Sequence, residues 1–234
     1  MPAFNEFGQP VGDDLVGWDQ PDLPPATELT GRRVRAEPLS WPRHGQDLYD
    51  VFSDAPDSLW TYMPFGPFHR VAELEATIEA MTGYPDWVPY AIVVGGRALG
   101  FASYLRAQPR DGVIEIGAIA FSPPLQKTTA ATESLYLMIR NVFELGYRRC
   151  EWKCDDLNAP SRSAGRRLGF RYEGTFRQAT HYKGRNRDTA WFAMTDTDWP
   201  RLDAAFREWL SPENFDDSGR QVRSLRELTR RLST

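Results

Sequence analysis

A strand-like run, a loop of short side chains and a helix start follow one another between Glu115 and Ala131, where the chain reads EIGAIAFSPPLQKTTAA. The first backbone N–H groups of a helix have no partner within the helix, and the helix dipole is positive at that end. Short side chains let an anion approach these groups, so the segment predicts a site for a phosphate or pyrophosphate group. A run of Thr and Ala is also an ordinary helix start, with Thr128 or Thr129 as the N-cap.

A second segment of the same kind runs from Cys150 to Phe170, beginning CEWKCDDLNAPS and ending RLGF. Asn158 stands two residues before Pro160, and Gly169 follows the last apolar position. A proline in the first turn and a glycine just past the end are typical of a short helix. Asn158 is therefore either the N-cap of this helix or a polar contact to a ligand held between the two segments.

Glu115 is the candidate acid–base residue. It lies between Ile114 and Ile116, eleven residues before Gln126. Burial among apolar neighbours raises the pKa of a carboxyl group by desolvation, which prepares a general base for work near neutral pH. The alternative is an ordinary glutamate on the polar face of a half-exposed strand.

Together these segments resemble the GNAT acyltransferases, whose acyl-coenzyme A loop is usually Gln/Arg-x-x-Gly-x-Gly/Ala before a helix. Gln126 and Ala131 match the first and last positions of that pattern, and Thr129 stands where the first glycine is expected. The resemblance extends over residues 32–198. Within it, the loop at residues 60–68 and the Asn-Ala-Pro-Ser run are most similar to the branch that acetylates the N-termini of ribosomal proteins.

The resemblance implies the α/β (α+β) GNAT fold, in which a mixed, mostly antiparallel, twisted sheet carries helices on both faces. It also implies acetyl-coenzyme A as the co-substrate, held by a strand end, the loop and the second segment. The implicated residues are Ile119, Ala120, Phe121, Gln126, Lys127, Thr128, Thr129, Ala130, Ala131, Thr132 and Asn158. By the resemblance, the backbone N–H of Ile119 polarises the acyl carbonyl, while Ala120 and Phe121 meet the pantetheine arm.

The resemblance also implies an acid and a base. Glu115 matches a glutamate that takes the proton of the acceptor amine, directly or through water. Many GNAT enzymes place a tyrosine seven residues after the asparagine, and that position is Gly165 here. Ser161, three residues after Asn158, is then expected to protonate the leaving thiolate, as in the ribosomal-protein branch. The alternative for Ser161 is an early-helix residue without a chemical role.

The loop at residues 60–68 reads WTYMPFGPF and is rich in aromatic residues. Large aromatic groups often line concave ligand sites, so Trp60, Tyr62 and Phe65 are candidates for contacts with the acceptor. The alternative is a satellite hydrophobic core beneath a long loop. The sequence leaves both interpretations open.

Composition argues against several classes of function. The 234 residues carry a net charge of −4, so no overall basic field favours a nucleic-acid partner. No apolar run approaches the roughly 20 residues that span a bilayer, and the N-terminus lacks the basic and apolar regions of a signal peptide. We therefore expect a cytoplasmic protein without a membrane partner, whose acceptor is an amine of a small molecule or peptide. The sequence does not decide between a monomer and a homodimer.

No metal site is expected. The three histidines, His44, His69 and His181, are scattered along the chain without ligand spacing. Cys150 and Cys154 lie on one side of an alternating strand, separated by about 13 Å at the usual rise of a strand. That separation is too large for a disulfide, so both cysteines are expected to be plain core thiols.

Hydrophobic periodicity predicts the element order β-α-α-β-β-β-α-β-α-β-β, which is the GNAT order. The predicted strands span residues 32–39, 88–94, 97–106, 113–121, 149–155, 171–180 and 189–194. The predicted helices span residues 43–53, 70–81 and 160–168, with a further helix carrying the apolar stripe Leu135, Met138, Ile139, Val142 and Phe143.

Three regions are predicted along the chain. Residues 1–30, with five prolines, form an irregular N-terminal arm, residues 31–199 the GNAT acyltransferase domain, and residues 200–234 a C-terminal helical extension. The residues of the extension expected to pack inward are Val222, Leu225, Leu228 and Leu232. Five arginines of this tail would then face solvent. The alternative is a basic tail that contacts RNA or an acidic partner.

Two functions of different class follow. The first is an acetyl-coenzyme A-dependent N-acetyltransferase that acts on a primary amine. The second is a catalytically inactive binding or regulatory protein on the same fold, with Thr129 and Gly165 as marks of lost function. Binding of acetyl-coenzyme A together with release of its thiol separates the two.

Overall fold

The computed structural model describes residues 3–230. The strands are β1 (Ala3–Phe4), β2 (Pro10–Val11), β3 (Leu29–Thr30), β4 (Arg35–Pro38), β5 (Val88–Val94), β6 (Arg97–Gln108), β7 (Val113–Phe121), β8 (Arg149–Asp155), β9 (Arg171–Tyr182) and β10 (Arg185–Thr195). The α-helices are α1 (Trp41–Ser53), α2 (Val71–Gly83), α3 (Thr129–Glu144), α4 (Ala159–Leu168), α5 (Trp199–Leu210) and α6 (Leu225–Arg230).

Eight of the strands form one sheet in the order β3-β4-β5-β6-β7-β8-β10-β9. Neighbouring strands are antiparallel except β7 and β8, which run parallel and pair only where Val113, Ile114 and Glu115 face Arg149, Cys150 and Glu151. Parallel neighbours need a crossover connection, and here α3 supplies it. The mixed, mostly antiparallel sheet with helices on both faces confirms the predicted fold class.

Alternation along the strands divides the core between the two faces of the sheet. In β5, Tyr90 and Ile92 pack in the cluster that contains α3 and α5, whereas Ala91 and Val93 pack in the cluster that contains α1 and α2. The predicted apolar stripe of α3 lies in the first cluster, with Phe143 only partly buried. In β8, Cys150 and Cys154 are buried free thiols, as predicted from the same alternation.

The last two strands are longer than predicted. Tyr182 pairs with Arg185 across a tight turn at Lys183 and Gly184, both at positive φ, so β9 continues past its predicted end at residue 180 and β10 begins before its predicted start at residue 189. Two register shifts leave extra residues on β9 relative to β10, and Gln178 lies at one of these shifts with a φ of 51°. The β9–β10 hairpin is therefore longer than the sequence pattern indicated.

Polar anchors attach the N-terminal arm to the sheet domain. The Trp18 indole N–H donates to the Gly146 carbonyl at 3.1 Å, and the Tyr147 hydroxyl donates to the Asp22 carbonyl at 2.9 Å. The segment predicted to be irregular also contains the short β1–β2 hairpin, and β3 joins the edge of the main sheet. Among residues 3–230, no helix has the length and hydrophobicity needed to cross a membrane.

The C-terminal extension packs through α5 and α6. Leu225 and Leu228 of α6 are buried, as predicted. The prediction was wrong for Val222, which is 68% exposed because it precedes the helix and does not share its apolar face. Leu232 lies outside the described residues.

Glu133 of α3 fixes the turn between β3 and β4. Its buried carboxylate accepts the backbone N–H groups of Arg32 at 2.6 Å and Arg33 at 3.1 Å. Glu133→Ala should lower the free energy of unfolding by about 2–3 kcal/mol, because two charge-assisted hydrogen bonds are lost. Urea denaturation measures the loss.

The matched control is Glu144→Ala in the same helix. Glu144 forms an exposed ion pair with Arg140 at 3.4 Å, so its removal should cost less than about 1 kcal/mol. Equal losses in the two variants would contradict the anchoring role of Glu133.

Candidate active site

The sheet opens between β7 and β8. Beyond Glu115 and Glu151 the two strands no longer pair, although β8 remains paired with β10 as far as Asp155. On its other side, β7 carries one extra residue against β6, because Ala120 pairs with Phe101 and Gly117 with Ser103. Ala118 takes up this bulge at a φ of 47°, an uncommon value for a residue with a side chain. Ile119, next to it, lies on a strand edge that faces the opening.

The loop after β7 ends in a capped helix start. The Thr128 hydroxyl accepts the N–H of Ala131 at 3.1 Å and donates to the Leu125 carbonyl at 2.7 Å, so Thr128 is the N-cap of α3. Gln126 ties the loop to the strand end by donating to the Phe121 carbonyl at 2.8 Å. Within residues 3–230, the N–H groups of Lys127, Thr129 and Ala130 meet no protein acceptor. These N–H groups fit an anionic group such as a pyrophosphate.

Across the opening, α4 begins with Asn158 and Ser161. The Asn158 side chain accepts the N–H of Ser161 at 3.1 Å, so Asn158 is the N-cap of α4. The Ser161 hydroxyl accepts the indole N–H of Trp152 at 3.1 Å. Burial raises the pKa of the Cys154 thiol, and a hydrogen bond with Ser161 acts in the opposite direction. Ser161 is thus a half-buried hydroxyl held beside the end of β8.

Trp152 explains the glycine at the position where many GNAT enzymes have tyrosine. A Cβ atom built on Gly165 would lie 3.2 Å from Cδ1 and 3.4 Å from Nε1 of Trp152. The indole therefore takes the space beside α4 that a larger side chain would need. In this chain the ring serves to orient Ser161, which lies one helical turn before Gly165.

Glu115 lies on the face of the sheet opposite Trp152. It is 7% exposed, its carboxylate accepts a hydrogen bond from Lys153 Nζ at 3.0 Å, and Arg106 Nε lies 3.9 Å away. Desolvation raises the pKa of Glu115, and the positive charges of Lys153 and Arg106 oppose that rise. The glutamate is therefore a buried, partnered carboxylate and not an ordinary solvated one.

The side chains of the aromatic loop differ in burial. Trp60 is 1% exposed and packs edge-on against Phe52 and Phe68, with ring centroids 4.9 and 4.7 Å apart. The prediction that Trp60 contacts the acceptor is therefore wrong, because a buried ring presents no surface to a ligand. Tyr62 and Phe65 are half-buried. The satellite-core interpretation holds for Trp60, and the interpretation as an acceptor wall stays a prediction for the other two.

Several residues near the opening were missed from the sequence. Lys183, at the tip of the β9–β10 hairpin, donates to the carbonyls of Trp60 at 2.8 Å and Phe65 at 3.3 Å. Lys153 contacts Glu115 from the neighbouring strand. Alternation along β8 puts Lys153 on the face opposite Cys150 and Cys154, but no sequence signal identifies its partner across the parallel pair. In the part of the chain described, no group of three or more His, Cys, Asp or Glu side chains could hold a metal ion.

Comparison with known proteins identifies the family. The family model described as an acetyltransferase (GNAT) domain matches residues 34–171. A GCN5-related N-acetyltransferase from Brucella melitensis is 40% identical over 92% of this chain and 100% of its own, with a TM-score of 0.89. A protein described as a probable GNAT-family acetyltransferase from Chromobacterium violaceum is 41% identical over 82% of this chain and 98% of its own, with a TM-score of 0.78.

A more distant structure shows the fold alone. It is the Salmonella typhimurium acetyl transferase that modifies the N-terminal serine of a 50S ribosomal subunit protein, 19% identical over 72% of this chain and 98% of its own, with a TM-score of 0.62. No curated protein matches the sequence. On the family match and the two identities near 40%, the chain belongs to the GNAT family of acetyltransferases, enzymes that use acyl-coenzyme A as the donor.

Proposed function

We propose that this protein is an N-acetyltransferase that moves the acetyl group of acetyl-coenzyme A to a primary amine of a small molecule or of a peptide N-terminus. The observation that carries the proposal is the opening between β7 and β8, which begins after only three paired residues. The opening leads to the start of α3, where backbone N–H groups are available to an anion. A linear molecule with a pyrophosphate at one position and a thioester at its end fits this arrangement.

The residues that would hold the cofactor follow from this fit. The N–H groups of Lys127, Thr129 and Ala130 would bind the pyrophosphate, with Thr128 and Gln126 keeping the loop in shape. Coenzyme A, when bound, supplies a thioester whose acyl carbon is open to attack by an amine. The backbone N–H of Ile119, beside the bulge at Ala118, would polarise the acyl carbonyl.

Glu115 would act as the general base. An amine acceptor is mostly protonated at neutral pH and must lose a proton before or during attack. A carboxylate whose pKa is raised by desolvation is a better base than a solvated one, because its proton affinity lies closer to the working pH. Activity that depends on ionised Glu115 should therefore fall as the pH drops toward the raised pKa of this carboxyl group.

Ser161 would give a proton to the leaving thiolate. Its oxygen accepts from Trp152, which fixes the hydroxyl at the start of α4. Its hydrogen, which is shared with the Cys154 thiol, would be donated to the leaving thiolate during transfer. The glycine at position 165 therefore does not require a loss of function, because the indole of Trp152 accounts for it. Thr129 is accommodated in the first turn of α3 without disturbing the Thr128 cap.

The acceptor would approach from the face of the sheet that carries Glu115. Tyr62 and Phe65 lie in the loop that Lys183 links to the β9–β10 hairpin, so both structures border the same side of the molecule. Half-buried aromatic rings at such a border can contact the apolar part of an amine.

The test combines ligand binding with turnover. Acetyl-coenzyme A at 100 times its Kd should stabilise the protein by about 2.7 kcal/mol, observed as a higher melting temperature. Thiol release is then measured with a peptide bearing a free N-terminus, a polyamine, an aminoglycoside and a small amino acid. Stabilisation with no thiol release for any amine would favour the inactive binding protein. The absence of both would contradict the proposal.

Glu115→Gln should lower kcat by about 10² or more, the usual scale for a positioned general base, while the Kd for coenzyme A changes little. Activity should partly return at high pH, where the free amine is supplied by solvent. Steady-state kinetics and titration calorimetry on the same preparation separate the two effects. Turnover close to the unmodified enzyme at neutral pH would show that Glu115 is structural.

Ser161→Ala should reduce kcat by about tenfold to a hundredfold, less than the loss for Glu115→Gln, because a thiolate can leave without full protonation. The indole N–H of Trp152 loses its acceptor, so the free energy of unfolding should fall by no more than about 1–2 kcal/mol. Ser163→Ala, an exposed serine on the same helix, is the control and should change neither quantity. If stability falls while turnover is unchanged, Ser161 is a helix-start residue only.

A further inference from the structure

Two carboxylates face each other at the last paired position of the parallel strands. Glu115 of β7 and Glu151 of β8 are ladder partners, and both side chains are largely buried. Like charges directly opposite each other in a sheet are destabilising, and burial makes their repulsion stronger. This pair lies where the sheet begins to open. Because both carboxylates are buried, a positive charge is needed beside them to offset their repulsion.

Lys153 supplies this charge. It lies two residues beyond Glu151 on the same face of β8, and its side chain is 5% exposed. The ammonium group is 3.0 Å from Oε2 of Glu115 and 2.6 Å from Oε2 of Glu151. The ring of Trp191, the ladder partner of Lys153 in β10, covers Nζ with its centroid 3.7 Å away. Two carboxylates and an indole therefore fix the ammonium in one place.

The other charged groups around Glu115 are held less closely or used elsewhere. Arg106 of β6 is 3.9 Å from the Glu115 carboxylate, and about half of its side chain is exposed to solvent. Arg149 is engaged with Oε1 of Glu151 at 2.9 Å and with Glu173 of β9. Among the described residues, Lys153 is thus the cation within hydrogen-bond distance of Glu115, and Glu151 competes for it.

We propose that Lys153 is a positioning residue of the transfer reaction, which holds the Glu115 carboxylate ionised and oriented at the opening between β7 and β8. Glu151 shares the ammonium and so limits how strongly Lys153 acts on Glu115. This inference rests on the proposed role of Glu115 as the base. Lys153 touches neither the acceptor nor the thioester in this scheme and acts through Glu115.

The arrangement makes two neighbours act on Glu115 with opposite sign. The positive charge of Lys153 lowers the pKa of Glu115, whereas the negative charge of Glu151 raises it. Lys153→Met should therefore move the protonation of Glu115 to higher pH, and Glu151→Gln should move it to lower pH. A general loosening of the site would not produce opposite shifts.

The experiment measures the titration of Glu115 and the pH dependence of turnover in the same full-length variants. The carboxyl carbon of Glu115 is followed by NMR in protein carrying ¹³C-labelled glutamate, with its signal identified by its absence from Glu115→Gln. The acid limb of kcat/KM is recorded with acetyl-coenzyme A and the amine that releases thiol fastest. Each pH unit by which this limb rises lowers kcat/KM about tenfold on its acid side.

Two further variants serve as controls. Lys153→Arg keeps the charge and should restore the limb toward its original position. Arg149→Met removes a cation that contacts Glu151 but not Glu115, so it should move the limb much less than Lys153→Met. If Lys153→Met does not fold, because two buried carboxylates lose their partner, Glu151→Gln still tests the sign of the effect. Melting temperature and binding of coenzyme A establish that each variant is folded.

The outcomes separate this inference from the proposed function. Opposite displacements in Lys153→Met and Glu151→Gln, seen in both the NMR titration and the acid limb, support the positioning role. An unchanged Glu115 titration in Lys153→Met or a displacement of the same sign in Glu151→Gln overturns it, even if Glu115→Gln is inactive. Normal turnover in Glu115→Gln overturns the proposed base, and the role of Lys153 with it.

Discussion

The short parallel pairing of β7 and β8 is the constraint on which the rest of the structure depends. Parallel strands require a crossover, so α3 must begin near the end of β7 and return to the start of β8. Because pairing ends at Glu115 and Glu151, the strand ends separate just where the crossover helix begins. The backbone N–H groups of that helix start then face an opening between two strands instead of a closed sheet.

Where a sheet opens, backbone N–H groups and buried charges need partners other than the neighbouring strand. The bulge at Ala118 turns part of β7 out of its ladder with β6, and the capping threonine, Thr128, satisfies one N–H of the following helix. On the polar face, Lys153 bridges the two carboxylates that the parallel register brings together. The features that make the opening stable are therefore also the features proposed to act in catalysis.

Packing explains two features that the sequence left open, the glycine at position 165 and the role of Trp60 in the aromatic loop. Trp152 lies where a tyrosine at position 165 would need space, and its N–H orients Ser161. The aromatic loop uses Trp60 to build a small core with Phe52 and Phe68. Position-by-position comparison of motifs does not reveal such exchanges, because the compensating residue lies on another element.

The sequence by itself determined the order of the elements from β4 to β10 and the alternation that buries Cys150 and Cys154 in β8. It also indicated the residues that start the helices near the site, Thr128 or Thr129 for α3 and Asn158 for α4. These follow from local periodicity and from the hydrogen-bonding needs of helix ends, which nearby residues decide. It also singled out Glu115 and Ser161 as candidates. Only the tertiary structure decided which charges surround Glu115, that Trp60 is buried and that Lys183 reaches the aromatic loop, because each depends on register and contacts between distant elements.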